Sequence, residues 1–150
     1  QELVEQTWQE FREQAPQLQG TGVKELRILP ISGARNHLRM SQANKADVYV
    51  CSIASTANKS GYRSIESMVG AAGKRKVIVV IDEAHHAVAG NYQKVLNKIK
   101  TLNPNMVLLG LTATPVRMKD YEQQRLRRLF NIDMNIDKKK YSEEINRYKR

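Results

Sequence analysis

Two short segments carry side chains whose types and spacing could do chemistry. The first is Asp82-Glu83-Ala84-His85-His86, directly after the apolar run Val77–Ile81. Adjacent carboxylates at the end of a buried strand are costly unless something offsets their charge, and a divalent cation with phosphate ligands would do so. In that chemistry Asp82 would hold Mg2+, directly or through water, while Glu83 would face a nucleophilic water. An acidic strand-to-loop turn with two solvated histidines is the plainer alternative. Zinc fits poorly, because the spacing is not H-E-x-x-H and neither His37 nor Cys51 stands at a ligand-like distance along the chain. The second segment is Leu111-Thr112-Ala113-Thr114-Pro115, after Met106–Gly110. Small hydroxyl residues at a strand tip can hydrogen-bond to neighbouring carboxylates or to a phosphate network, and Pro115 keeps the strand from running straight into a helix. Alone, that sequence is a common strand-to-turn junction. Together, two such tips thirty residues apart form a specific constellation.

Elements must bring those tips side by side, and the apolar pattern supplies them. Val77–Ile81 and Met106–Leu111 are unbroken rather than alternating, as expected of strands buried on both faces of a parallel sheet. Between them Val95, Leu96, Ile99 and Leu102 make a helical stripe closed by Asn103-Pro104. Strand, crossover helix and strand form a βαβ unit, so the class is α/β. Ligands of open α/β sheets bind beyond the carboxyl ends of the strands, which is where both segments lie. Upstream, Leu26–Leu29 and Val48–Cys51 read as further strands. Val4, Trp8, Phe11 and Ala15 share one helical face that Pro16 and Gly20 terminate. Residues 57–75, with Gly61, Gly70 and Gly73, read as a loop followed by a short helix around Ile65–Val69. Beyond Pro115 two charged amphipathic stretches follow, Tyr121–Phe130 and Tyr141–Tyr148.

Composition bounds the rest. The 150 residues are 41% apolar and 27% charged, which excludes disordered and fibrous classes. No apolar run approaches the ~20 residues of a membrane-spanning helix, and the amino end QELVEQTWQE, polar and acidic, is not expected to act as a secretory signal. One cysteine excludes an internal disulfide and leads to the expectation of a reducing, cytoplasmic setting. The net charge of +10 favours a polyanionic partner, nucleic acid before an anionic membrane surface. Residues 116–150 hold eleven Lys/Arg against six Asp/Glu, a basic tail that includes Arg125, Arg127, Arg128 and Lys138–Lys140.

The paired motifs resemble the first RecA-like domain of superfamily 2 helicases and translocases, in the DEAH/DExH group that includes restriction-enzyme motor subunits and repair helicases. VIVVIDEAHHAVAGNY looks like a Walker B motif and LLGLTATPVR like motif III. The resemblance implies a P-loop NTPase type of fold, a mostly parallel sheet flanked by helices, and ATP with Mg2+ as cofactors. By it, Asp82 would hold the Mg2+, Glu83 would activate the attacking water, and His85 would link the nucleotide site to motif III. Thr112 and Thr114 would couple hydrolysis to movement along DNA or RNA, DNA being favoured. Weaker matches are Leu3-Val4-Glu5-Gln6, similar to the end of motif Ia, and Ser32-Gly33, a small-residue turn against the nucleic-acid backbone. ADVYVCSIAST is similar to the strand carrying the next such motif, with Ser52 where relatives often have Thr and Ala54 where they often have Gln. Gly33, Arg35, Ser52, Ser55 and Arg63 are thereby candidates for contacts to phosphates, which would read no sequence.

The departures set further expectations. The chain contains no G-x-x-x-x-G-K-[ST] loop; GTGVK at 20–24 and GAAGKRK at 70–76 lack the required ending. Starting without Met at a point just downstream of where such a loop would lie, it is expected to be truncated, with a sheet incomplete at its amino-terminal side. Residues 1–117 would form the partial ATP-binding domain and 118–150 a basic helical tail. By itself such a fragment should be inactive, and exposed sheet edges should promote self-association. Two other readings stay open: a non-catalytic basic nucleic-acid-binding module of the same fold, and a metal-dependent phosphoesterase built on Asp82, Glu83, His85 and His86.

Overall fold

A computed structural model describes residues 2–18, 26–31, 46–113 and 119–131. Gly33, Arg35, Thr114 and the stretch Tyr141–Tyr148 lie outside them. The fold is α/β, with short parallel strands flanked by helices. Packing divides the chain into two units, one of residues 1–77 and 91–107, the other of 78–90 and 108–150.

In the first unit, α1 (Glu2–Gln14) runs into a 3-10 turn at Ala15–Leu18, which holds Pro16. Of its expected apolar face, Val4 is buried and Trp8 half-buried, but Phe11 is exposed. Trp8 donates Nε1–H to the Ile28 carbonyl at 3.3 Å, fixing α1 on the strand below it. That strand, β1 (Ile28–Ile31), pairs in parallel with β2 (Val48–Cys51), from Ile28 opposite Val48 to Ile31 opposite Cys51. A two-pronged ion pair locks this register at the start of both strands. Arg27 Nε and Nη2 each lie 3.0 Å from an Asp47 carboxylate oxygen, and the Arg27 N–H donates to Oδ2 at 3.1 Å. The guanidinium hydrogen bonds hold the Asp47 carboxyl below its ordinary range. Cys51 is exposed at the far end of β2, yet dense packing around its sulfur pushes the thiol up to about 12.

Ser52 then caps α2 (Ile53–Thr56), and Asn58 caps α3 (Lys59–Ala72) by accepting the Gly61 N–H at 2.9 Å. Helix α3 covers most of the segment read from sequence as a loop and short helix. Gly61 does not break it, because the glycine is required by packing: a Cβ there would collide with the Ser55 carbonyl oxygen. The core of this unit gathers Ile65 and Val69 of α3 with Val95 of α4 (Gly90–Leu102), flanked by Ile53, Met68, Val77 and Ile99. Complete burial of a side chain such as Ile65 contributes roughly 1.5–3 kcal/mol. The stripe expected over 95–102 is therefore real, although Leu102 itself is exposed. Asn103 ends α4 and donates its amide to the Arg75 carbonyl at 3.1 Å.

The second unit is built on β3 (Ile78–Ile81) and β4 (Val107–Gly110). Val107 donates to the Val77 carbonyl and Leu111 to that of Ile81, both at 2.9 Å. The constant offset means the two strands advance in the same direction, as a βαβ unit requires. Among the described residues β1 pairs with β2 and β3 with β4. One expectation is corrected: β3 and β4 are not buried on both faces, since Ile78, Val80, Leu109 and Leu111 are exposed, while Ile81 is buried. Alternate side chains of a strand point to opposite faces, so an unbroken apolar run reports that both faces are apolar, not that both are covered. Last comes α5 (Asp120–Phe130), with Asp120 and Glu122 in its first turn and Arg127 and Arg128 in its last, the order that suits the helix dipole. Asn131, in the left-handed region, closes it.

Candidate functional site

The chain leaves β3 at Ile81 and turns at once. Asp82 and Glu83 are exposed, and a 3-10 turn follows at Ala84–His86. Glu83 has φ 50° and ψ 49°, the left-handed region that side chains with a Cβ avoid at a cost of roughly 1–2 kcal/mol. Asp82 Oδ1 accepts the Glu83 N–H at 2.9 Å and steadies that conformation. Beyond it, the His86 N–H returns to the Glu83 carbonyl and the Ala87 N–H to that of Ala84. The turn is tied to the neighbouring strand end, since the Ala84 N–H donates to the Leu111 carbonyl at 2.9 Å.

One residue further on, the two sequence segments meet. His85 Nδ1 lies 2.9 Å from Thr112 Oγ1 and 3.2 Å from Glu83 Oε2. A carboxylate oxygen that accepts from this ring nitrogen requires the tautomer with the proton on Nδ1. The His85 side chain is largely buried, whereas that of Glu83 is 59% exposed. His85 thus spans a solvent-facing acid and the tip of β4. The His86 ring lies beside it, centroids 4.0 Å apart.

Gly110 permits this closeness. A Cβ on it would meet the Ala84 methyl at 2.7 Å and the Phe130 ring at 2.7 and 2.8 Å. A glycine inside an apolar strand signals a close backbone approach, the one cue in the sequence to this packing. Phe130 carried no such cue.

As to a metal, Asp82 fits the role of a single carboxylate ligand. One of its oxygens is engaged by the chain, the residue is exposed, and Mg2+ is commonly held by one or two carboxylates together with substrate phosphates and water. Among the described residues no three His, Cys, Asp or Glu converge to hold a metal by protein groups alone, as a phosphoesterase centre would need.

Of the residues expected to meet nucleic acid, Ser52 and Ser55 come together beyond β2 in the first unit. Ser52 Oγ donates to Ser55 Oγ at 2.8 Å and accepts the Ser55 N–H at 3.2 Å. Ser55 is buried and Ser52 half-buried, so both hydroxyls serve the start of α2. Arg63 is exposed on α3. No helix among the described residues is long and apolar enough to cross a membrane.

Comparison with protein families matches residues 1–117 to the family described as "Type III restriction enzyme, res subunit". Among curated proteins, "Putative helicase 22" of Sulfolobus islandicus filamentous virus is 40% identical over 75 residues, covering 47% of this chain and 12% of that protein. The chain therefore spans about an eighth of that relative's length. No solved structure matches it significantly.

Proposed function

The chain belongs to the type III restriction enzyme res subunit family, a helicase-like family, and we propose that it supplies the Walker B and motif III half of a DEAH-type superfamily 2 motor domain. In this reading residues 1–117 are the motor portion and 118–150 a basic helical extension. The whole protein would hydrolyse ATP in response to nucleic acid, DNA being favoured, and convert hydrolysis into translocation or unwinding. The observation that carries the proposal is the 2.9 Å bond between His85 and Thr112. It joins the acidic turn after β3 to the hydroxyl tip after β4, the link that couples a hydrolytic site to a moving element.

The roles follow from chemistry. Asp82 would hold Mg2+, whose charge offsets that of the nucleotide phosphates. Glu83, exposed and adjacent, would orient the attacking water and take its proton. His85 would hold the Glu83 carboxylate through Nδ1–H and report its state to Thr112, with Thr114 next along the same segment. Phosphoryl transfer depends on positioning around the β- and γ-phosphates, and the 150 residues hold no phosphate-cradling loop. The isolated chain is accordingly expected to show negligible ATP turnover. Gly33, Arg35, Ser52 and Arg63 are proposed to face the nucleic-acid backbone, with buried Ser55 holding the Ser52 hydroxyl in place.

The test is nucleic-acid-stimulated ATP hydrolysis by the protein in which this sequence is joined to its remaining domains. Glu83→Gln is expected to lower turnover by about 10²–10⁴-fold while nucleotide binding persists. Full turnover by that variant would remove the assignment.

A further inference from the structure

Helix α5 lies beyond the residues matched by the family, yet its last side chain reaches Gly110 of β4, over which the Ala84 methyl of the acidic turn also lies. We propose that Phe130 is a positioning residue for that turn, a role that rests on the hydrolytic reading above. Ala84 is 3% exposed and is held on two sides. Its N–H is bonded to the Leu111 carbonyl, and its methyl lies over Gly110. The Phe130 ring lies over the same glycine, with Cε1 and Cζ 2.7 and 2.8 Å from the point a Cβ would occupy. Ring and methyl thus fill together the space that the missing side chain leaves above β4. Ala84 is the first residue of the 3-10 turn, His85 the second, and Thr112 lies two residues past Gly110. A ring seated over Gly110, in the space it shares with the Ala84 methyl, therefore sets the separation of the two segments that the His85–Thr112 bond must span.

Two features suit Phe130 to this task. A rigid aromatic ring has few torsions to lose and transmits a fixed thickness between backbones. Its helix buries Leu126, 4% exposed, and is closed directly after the ring by Asn131 with φ 49° and an N–H bonded to the Arg127 carbonyl.

The test uses the 150-residue chain without nucleotide and reads the His85 ring nitrogens by long-range proton–nitrogen correlation. In the native chain Nδ1 should report a protonated, hydrogen-bonded nitrogen distinct from that of His86. Phe130→Ala is expected to collapse that distinction, and Phe130→Met, long enough to reach Gly110, to restore most of it. Tyr121→Ala, which trims an exposed side chain on the first turn of the same helix, should leave the His85 signal in place. Should Phe130→Ala fail to fold, Phe130→Leu keeps apolar volume but falls short of the glycine, and must move the same signal. An unchanged His85 signal in the alanine or leucine variant, or an equal shift in Tyr121→Ala, overturns the proposal. Because no nucleotide enters this measurement, a failure here leaves the motor reading standing, and an inactive parent protein leaves a positive result here standing.

Discussion

Glu83 combines the catalytic role proposed above with an unfavourable backbone. Its φ of 50° suits glycine and penalises any residue with a Cβ. Elsewhere in a chain alanine is more stabilising than glycine, because it restricts the unfolded state. At position 83 the order should reverse: Glu83→Gly is expected to exceed Glu83→Ala in stability by about 1 kcal/mol in urea unfolding. Equal stabilities, or alanine ahead, would show that the turn relaxes when the acid is removed. At this scale the sequence was informative about chemical type. Asp82, Glu83, His85 and Thr112 could be singled out because acids and hydroxyls at strand ends are unusual and their spacing is fixed by the strands. The left-handed backbone could not be foreseen, since glutamate gives no sign of it. Nor could the role of Phe130, which depends on what a helix twenty residues downstream of Gly110 happens to touch.

At the scale of elements, glycines separate what local patterns reveal from what packing decides. Read as a breaker, Gly61 argued for a loop; in the structure it lets α3 approach α2, where a Cβ would collide with the Ser55 carbonyl and the Thr56 backbone. Gly61→Ala is therefore expected to cost about 1–3 kcal/mol, since backbone on both sides must shift. Gly90 opens α4 with open space where a Cβ would project, nothing lying within 4 Å of it, and Gly90→Ala should stabilise by roughly 0.4–1 kcal/mol. Thermal unfolding of the two variants checks both signs at once. The βαβ order, the stripe of α4 and the extent of α5 were legible because each has a regular period or a clear stop such as Asn103-Pro104. Pairing was legible only where a crossover helix dictates it.

For the molecule as a whole, the informative feature is apolar surface where a sheet was expected to be covered. Ile78, Val80, Leu109 and Leu111 are between 48% and 62% exposed on β3, β4 and the residue after it. Exposed strands of this kind invite pairing with another chain. Light scattering of the purified chain is expected to show concentration-dependent association that Val80→Thr combined with Leu109→Thr reduces; a monodisperse monomer at high concentration would count against it. Composition foretold a globular chain with a basic balance, but surface exposure depends on which segments are folded alongside, which no residue count contains. The strain at Glu83 also reaches beyond a single measurement. A mutant library scored solely for heat survival would drift toward glycine at that codon, whereas one scored for the proposed turnover would retain the acid, so the residue recovered there reveals which pressure the population experienced.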